Sequence, residues 1–284
     1  MRILVLGGGG FIGRHLCYYL KNYGYEVHQT GHTSPDLPKL DLLQFSNLVE
    51  EISRIKPDVV INLSGRLVRS NPSENDFVVN ADGPKNLVNA IKQLEFNPFL
   101  IHLASSSEPR GTELIPESEY GKTKAIGSRY VKTNIQDKNI RGIIVCAPNV
   151  YGGNIPKDKL ISQIFLAASR DENILLNYPN RVRDFVCIED FVVVLGRIIN
   201  ELEYLEKENI EYLEIGTGYG TSLYDLAKEI YSITGRNFEL NRTNEIDSNP
   251  YRILESNSGF NTTCKTELKT GLESIKGEFI LDMW

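Results

Sequence analysis

The chain has 284 residues, of which 41% are hydrophobic and 24% are charged, a composition typical of a globular protein. Its net charge is −6 and its pI is near 5.4. Without a basic cluster, this acidic balance argues against a nucleic-acid or anionic-membrane partner, because both need positive charge opposite their phosphates.

The sequence also argues against a membrane span, a secretion signal and a metal site. It has no run of about 18 apolar residues, and it begins with a strand-like segment rather than a basic region followed by a removable apolar stretch. The four cysteines and four histidines lack the spacing of metal ligands. We therefore expect a cytoplasmic protein that binds no metal.

Short aliphatic runs alternate with helical patterns in the first half of the chain. The runs begin at Arg2, Pro57, Pro98 and Gly142, and continuous apolar segments of this length are typical of strands covered on both faces. The segments between them have apolar residues at helical spacing. This alternation predicts an α/β fold of the Rossmann type, a doubly wound parallel sheet with helices on both sides.

The pattern changes after Tyr151. A loop-like stretch precedes a helix around 161–168, then come a strand, a second clear helix and an asparagine-rich polar segment. We expect a dinucleotide-binding domain over residues 1–152, to which the chain returns around 183–216. A smaller α/β substrate-binding lobe would occupy 153–284.

Gly7, Gly10 and Gly13 stand between the first apolar run and a helical pattern. In a βαβ unit this spacing indicates a dinucleotide-binding turn: the first glycine permits the tight turn, the second lets the backbone approach a pyrophosphate, and the third allows close helix packing. The helix N-terminus then faces the anion. A purely structural strand-to-helix corner is the alternative.

The second strand ends without the acidic residue that holds the ribose hydroxyls in the NAD-type fingerprint. Thr30, Gly31 and His32 stand in its place. A small residue followed by one that can carry positive charge leaves room for a 2′-phosphate, so the sequence favours NADP(H). The alternative is NAD(H), with His32 as an exposed loop residue.

Tyr120 and Lys124 stand four residues apart, which places a phenol and an ammonium on one face of a helix. A nearby cation stabilises phenolate, so we expect Lys124 to lower the pKa of Tyr120 and allow proton exchange near neutral pH. The pair follows the apolar run that ends in Ser105, Ser106 and Ser107. Ligands of open α/β sheets bind beyond such strand ends.

In this order the motifs resemble those of the extended short-chain dehydrogenase/reductase family, which contains nucleotide-sugar epimerases, dehydratases and ketoreductases. The resemblance covers nearly the whole chain. The matching segments are GGGGFIG from Gly7, Asp41-Leu42, INLSG from Ile61, NADGPKNL from Asn80, YGKTK from Tyr120, NVYG from Asn149, RDFV from Arg183 and IGTGYGTSL from Ile215.

The resemblance implies a role for individual residues. Tyr120 would exchange the proton at the reacting oxygen, and Lys124 would hold the nicotinamide ribose. Ser106 would hydrogen-bond the substrate oxygen, with Ser107 as the alternative. The residues implied to line the cofactor are Gly7, Gly10, Phe11, Ile12, Gly13, His32, Asp41, Leu42, Leu63, Ser64, Gly65, Asn80, Tyr120 and Lys124. Those implied to contact the nucleotide-diphosphate substrate are Ser107, Asn149, Arg183 and Arg252.

The chain departs from the family pattern beside these residues. The segment between Ser106 and Tyr120 is shorter than usual, which resembles the 4-ketoreductases that make dideoxy sugars on cytidine diphosphate, such as the abequose and paratose synthases. Arg110 replaces a tyrosine, and Pro84 replaces a threonine. Glu108 stands where the family's 4,6-dehydratases carry an acid and where its reductases also place Glu; a solvated loop carboxylate is the alternative.

The leading hypothesis is an NADPH-dependent 4-ketoreductase acting on a nucleotide-diphosphate 4-keto-6-deoxy or dideoxy sugar. The alternatives are a nucleotide-sugar 4-epimerase that keeps NAD(H) bound, a 4,6-dehydratase, and a non-catalytic dinucleotide-binding sensor. The resemblance also implies a homodimer, paired through the helix that carries Tyr120 and the helix before it.

Overall fold

The computed structural model describes residues 1–32, 34–66, 74–108, 118–239, 241–242, 251–254 and 260–280. Arg110 lies outside these residues. The chain forms two units. The first comprises Met1–Ala147, Leu195–Glu214 and Asn257–Phe260, and the second comprises Pro148–Val194, Ile215–Ser256 and Asn261–Trp284. The domain boundary expected after residue 152 stays a prediction.

Strands and helices alternate through the first unit and become shorter in the second. The strands are β1 (Arg2–Leu6), β2 (Glu26–Thr30), β3 (Val59–Asn62), β4 (Phe99–Ser105), β5 (Gly142–Ala147), β6 (Asn149–Tyr151), β7 (Leu175–Leu176), β8 (Val182–Arg183), β9 (Phe185–Cys187), β10 (Tyr212–Glu214), β11 (Thr221–Ser222), β12 (Asn241–Arg242) and β13 (Tyr251–Arg252). The helices are α1 (Phe11–Asn22), α2 (Phe45–Ile55), α3 (Glu74–Lys92), α4 (Glu119–Gln136), α5 (Leu160–Ser169), α6 (Ile188–Asn200), α7 (Leu202–Lys207), α8 (Leu223–Thr234), α9 (Leu268–Ile275) and α10 (Gly277–Ile280).

A six-stranded parallel sheet forms the centre of the first unit, in the order β10-β5-β4-β3-β1-β2. Residues of β1, β3, β4 and β5 are almost wholly buried, as expected for strands covered on both faces. The doubly wound α/β fold expected from the sequence is confirmed. The chain moves outward from β1 to β2 and then crosses to β3 on the other side, so a topological switch point lies between β1 and β3.

In the described part of the second unit, the strands are short and form small sheets of two or three strands. Strand β8 pairs with β11 and β13, β6 pairs with β9, and β7 pairs with β12. Helix α5 confirms the helix expected around 161–168. Helix α8 begins at Ser222, whose hydroxyl accepts a hydrogen bond from the Asp225 backbone N–H at 3.0 Å.

None of the described helices combines the length and apolar character needed to cross a bilayer. Within the described ranges, the His, Cys, Asp and Glu side chains form no group of three or more suited to a metal ion.

Candidate active site

The glycine-rich turn lies at the switch point of the sheet. Gly7 has a φ of +81°, a left-handed conformation that favours glycine. A Cβ on Gly7 would lie 3.0 Å from the backbone nitrogen of Ser64. The Leu63 N–H donates to the Leu6 carbonyl at 3.0 Å, so the loop after β3 runs directly beside the turn after β1. The turn and this loop thus border the crevice in which open α/β sheets bind ligands.

Helix α1 starts tightly against the same turn. A Cβ on Gly13 would lie 2.7 Å from the Gly8 Cα and would also strike the Gly7 carbonyl oxygen. Gly10 is the N-cap residue of α1 and offers no side-chain acceptor to the first amides of the helix. Phe11 and Ile12 are the first two residues of that helix. This arrangement fits a pyrophosphate at the helix N-terminus.

The end of β2 lies beside the glycine turn. The Gly8 N–H donates to the Thr30 carbonyl at 2.8 Å. Thr30 and Gly31 are buried, and His32 is exposed. The strand therefore presents no acidic side chain between Thr30 and His32, at the position where NAD-type folds carry a carboxylate.

Asp41 and Leu42 form a turn after this strand. The Asp41 carboxylate accepts a hydrogen bond from the Leu43 N–H at 2.9 Å, which holds the turn. Leu42 is buried, and its carbonyl accepts a hydrogen bond from the Asn86 side chain of α3 at 3.0 Å. Asp41 thus stabilises the turn itself, and Leu42 connects it to α3.

Asn80 ties the loop after β3 to helix α4. Its amide oxygen accepts from the Arg66 N–H at 2.8 Å, and its amide nitrogen donates to the Arg66 carbonyl and to the Thr123 hydroxyl at 2.7 and 3.1 Å. A Cβ on Gly65 would lie 3.2 Å from the Asn80 amide oxygen and 3.9 Å from Lys124 Nζ. The fold therefore brings Gly65, Asn80 and Lys124 together.

Helix α4 places Tyr120 and Lys124 in its first two turns. It begins at Ser118, whose hydroxyl accepts from the Gly121 N–H at 3.1 Å. Gly127 allows α4 to pack closely on α3, because a Cβ there would lie 2.8 Å from Pro84. Lys124 is only 5% exposed, and its ammonium donates to the Leu103 carbonyl of β4 at 2.7 Å. Burial lowers the pKa of Lys124, and the Glu108 carboxylate partly opposes this effect.

The phenol of Tyr120 is enclosed beside the end of β4. Burial and the Glu108 carboxylate raise the pKa of Tyr120 to about 12, although a hydrogen bond from the Ser105 hydroxyl stabilises the phenolate and acts in the other direction. The expected lowering of this pKa by Lys124 is therefore not observed. The reason is that desolvation dominates, while the Lys124 ammonium is hydrogen-bonded to the Leu103 carbonyl.

Among the three consecutive serines, Ser105 is the one whose hydroxyl lowers the pKa of the Tyr120 phenol. Ser106 is buried, and its N–H donates to the Ala147 carbonyl at 2.9 Å. The Ser107 N–H donates to the Ser105 hydroxyl oxygen at 3.2 Å. The roles expected for Ser106 and Ser107 stay predictions.

The catalytic serine can be identified by comparing Ser105→Ala with Ser106→Ala. We expect the larger fall in kcat, about 10-fold or more, in Ser105→Ala, because this change removes the observed partner of the phenol. Steady-state kinetics of both variants at saturating cofactor would measure the difference. A larger fall in kcat in Ser106→Ala would instead identify Ser106, the serine implied by the family resemblance, as the catalytic one.

Glu108 is half-buried at the end of β4. Its carboxylate accepts hydrogen bonds from the Ser105 N–H at 2.9 Å and from the Ser128 hydroxyl at 3.1 Å. Burial raises the pKa of Glu108, and the charge of Lys124 opposes this shift. The carboxylate is thus held by β4 and α4, unlike the solvated loop carboxylate given as the alternative.

Three residues that the sequence motifs did not indicate as functional form a buried, hydrogen-bonded chain that leads to Glu108: Asn62, His102 and Ser128. A histidine within the apolar run that forms β4 was the available signal. A buried polar side chain requires a partner, so its presence in an apolar strand indicates a polar network.

The predicted substrate residues of the second unit lie on the short strands β6, β8 and β13. The Asn149 N–H donates to the Asp184 carbonyl at 3.1 Å, in the pairing of β6 with β9. Arg183 is 7% exposed, and its guanidinium donates to the Val182 carbonyl at 2.7 Å. Arg252 occupies the register position opposite Arg183 in the pairing of β13 with β8. Their contact with a substrate stays a prediction.

Asp184 links the strand segment after Arg183 to the loop that follows β10 in the chain. Its carboxylate accepts hydrogen bonds from the Thr217 hydroxyl and N–H at 2.6 and 3.0 Å, and from the N–H groups of Gly218 and Leu254, both at 3.3 Å. The side chain is 1% exposed. Asp184 therefore holds together three separate segments of the second unit.

Comparison with known proteins identifies the family. The model of the NAD dependent epimerase/dehydratase family matches residues 3–212. The chain belongs to this family. It is accordingly an enzyme of the extended short-chain dehydrogenase/reductase type, and the family uses nicotinamide dinucleotides.

The chain is similar to family members that are named for different activities. A GDP-6-deoxy-D-talose 4-dehydrogenase of Aggregatibacter actinomycetemcomitans is 29% identical over 262 residues, covering 87% of this chain and 84% of the relative. A UDP-glucose 4-epimerase of Rhizobium leguminosarum bv. trifolii is 24% identical over 291 residues, covering 90% and 89%. The solved UDP-glucuronic acid 4-epimerase of Bacillus cereus, in complex with UDP-glucuronic acid and NAD, is 24% identical with a TM-score of 0.81 and covers 100% of both chains.

Proposed function

We propose that this protein is an NADPH-dependent 4-ketoreductase of a nucleotide-diphosphate 4-keto-6-deoxy or dideoxy sugar. The observation that carries the proposal is the buried Tyr120 phenol, on which the Ser105 hydroxyl acts, on the same helix as the buried ammonium of Lys124. With a pKa raised to about 12, the phenol is protonated at neutral pH. That is the form that donates a proton to the alkoxide produced when a ketone is reduced.

The chain's own residues would bind the cofactor and move the proton. A nicotinamide dinucleotide supplies the hydride when it is bound. The glycine turn and α1 would hold its pyrophosphate, and Leu63, Ser64, Gly65 and Lys124 would hold the part nearer the reacting carbon. Tyr120 would protonate the substrate oxygen. The hydroxyl of Ser105, or that of Ser106 as the family spacing selects, would orient the ketone.

A preference for NADP(H) is supported by the end of β2. No carboxylate stands between Thr30 and His32, so nothing there repels a 2′-phosphate, and the exposed His32 can approach one. We expect NADPH to bind at least about 10-fold more tightly than NADH, since a charged hydrogen bond contributes about 1.5–3 kcal/mol. Fluorescence titration with both cofactors measures the ratio; equal affinities, or tighter NADH binding, would contradict the preference.

A nucleotide-diphosphate substrate is supported by Arg183 and Arg252, which take opposite positions in the pairing of β8 with β13, and by Asn149 on β6. Arginine is suited to a diphosphate because its guanidinium forms charge-assisted, bidentate hydrogen bonds. The name of the Aggregatibacter relative, a 4-dehydrogenase of a GDP-linked 6-deoxy sugar, supports redox chemistry at C4. Reduction of a 4-ketone is the reverse of that oxidation.

The direct test is to incubate the purified protein with 4-keto-6-deoxy sugars linked to different nucleotides and with NADPH. Loss of NADPH absorbance and a product heavier by two hydrogen atoms are expected for the correct substrate. If no such ketone is reduced while NADPH binds tightly, the ketoreductase proposal fails.

A 4-epimerase is the second candidate, because the Rhizobium relative that spans most of the chain carries that name. Such an enzyme would oxidise and then reduce C4 with the same residues and would retain its cofactor. NAD⁺ released by denaturing the freshly purified protein, with no exchange for added NADPH, would favour it. The expected homodimer and cytoplasmic location stay predictions.

A further inference from the structure

A line of hydrogen bonds runs from the loop after β3 to the end of β4. The Ser64 N–H donates to the Asn62 amide oxygen at 3.1 Å, and the Asn62 amide nitrogen lies 3.2 Å from His102 Nδ1. His102 Nε2 lies 3.2 Å from the Ser128 hydroxyl. Asn62 and His102 are both fully buried, so these contacts replace those that water would otherwise make.

The line ends on Glu108. The Ser128 hydroxyl and the Ser105 N–H both donate to the same carboxylate oxygen, Oε1, at 3.1 and 2.9 Å. The Glu108 N–H in turn donates to the Ser105 carbonyl at 3.0 Å. Glu108 is thus bound to the backbone at Ser105, the residue whose hydroxyl bonds the Tyr120 phenol.

The contacts define the direction of the line. Because the Asn62 amide oxygen accepts from Ser64, its amide nitrogen faces His102 and donates to Nδ1. His102 then carries its proton on Nε2 and donates to Ser128, whose own proton points to Glu108. Burial and the charge of Lys124 lower the pKa of His102, which keeps the imidazole neutral as this order requires.

The charged and titratable neighbours of the carboxylate are Lys124 and Tyr120 of helix α4. The neutral His102 of β4 reaches it only through the Ser128 hydroxyl. On strand β5, the Cys146 thiol lies near Tyr120 and Lys124. Of these described side chains, Lys124 is the one that carries positive charge.

We propose that Glu108 is a positioning residue: held by Ser128 and the Ser105 backbone, its carboxylate fixes the end of β4 and provides a negative charge near Lys124 and Tyr120. This inference rests on the proposed roles of those two residues. The charge keeps the ammonium of Lys124 protonated for binding the cofactor and keeps the phenol protonated for donating its proton. The residue acts through its neighbours and requires no contact with the substrate.

Removing the charge alone gives a defined result. Glu108→Gln keeps the shape and an acceptor oxygen but loses the negative charge, so the pKa values of Lys124 and Tyr120 both fall. NADPH affinity depends on the Lys124 ammonium and decreases as pH rises through its pKa. In Glu108→Gln this decrease should therefore begin about one pH unit lower than in the parent. The alkaline limb of kcat/KM for ketone reduction should move in the same direction.

NADPH titration between pH 6 and pH 10 is the main measurement, because it needs no turnover. Glu214→Gln is the matched control: Glu214 is also buried, but it lies on β10, which β5 separates from β4. We expect the pH profile of this control to overlay that of the parent. A Glu108→Gln profile that also overlays it, or that falls equally at every pH, would overturn the proposal and leave Glu108 a structural residue.

If Glu108→Gln does not fold, Ser128→Ala gives a second test. It retains the carboxylate but removes one of its hydrogen-bond donors, so the group carries less charge and a smaller shift in the same direction is expected. No shift would count against the proposal. A shift in the pH profile of NADPH binding without reduction of any ketone would support the positioning role of Glu108 and refute the ketoreductase function. Ketone reduction without such a shift would support the ketoreductase function and refute the positioning role.

Discussion

Tyr120→Phe is expected to slow NADPH-dependent ketone reduction by about 10²- to 10⁴-fold, the range typical of losing a general acid. The change removes only the hydroxyl that bonds Ser105 and would protonate the substrate oxygen. The aromatic ring remains, so NADPH affinity should stay close to that of the parent. Steady-state kinetics together with a fluorescence titration of NADPH would measure both quantities.

Tyr130→Phe provides the matched control on the same helix. The Tyr130 hydroxyl donates to the Asn89 side chain at 2.9 Å, outside the candidate site, so its removal should leave the rate within a factor of about two and cost only the stability of one hydrogen bond. A Tyr120→Phe enzyme as active as the parent would refute the proposed proton transfer.

Asp184→Ala should lower the free energy of unfolding by about 3–5 kcal/mol, as breaking a buried charged network does. The substitution leaves the N–H groups of Thr217, Gly218 and Leu254 without their acceptor in a buried position. Urea unfolding followed by circular dichroism would measure the loss.

Asp225→Ala is the corresponding control in the second unit. Asp225 is exposed and accepts a hydrogen bond from the Ser222 hydroxyl at 2.5 Å at the start of α8. We expect its loss to cost about 1 kcal/mol or less, because exposed polar contacts contribute little. Similar losses in the two variants would show that the Asp184 network does not stabilise the unit as argued.

The alternation of strands and helices in the first unit was predictable because it depends on short-range patterns. An apolar run bounded by turn residues favours a strand covered on both faces wherever it occurs. The glycine turn was predictable for a similar reason. Gly7 adopts a positive φ, and the tight packing at Gly13 excludes a Cβ, so the residue type itself records the local geometry.

The arrangement around Tyr120 was not predictable in the same way. The three adjacent serines are chemically identical in the sequence, and only the position of α4 beside β4 brings Ser105 to the phenol. From the sequence alone, Glu108 could equally have been a solvated carboxylate. Only the fold brings it within hydrogen-bond distance of Ser128. The sign of the Tyr120 pKa shift followed from that enclosure.

The sequence by itself therefore determined the parallel α/β fold, the glycine turn and the pairing of Tyr120 with Lys124 on one helical face, since each depends on residues close together in the chain. Tertiary structure alone decided which serine acts on the phenol, which carboxylate is hydrogen-bonded at the end of β4 and how the register places Arg183 opposite Arg252. Burial and hydrogen bonding join residues far apart in the chain, and desolvation depends on everything packed around a group. For that reason no local sequence pattern could predict these three features.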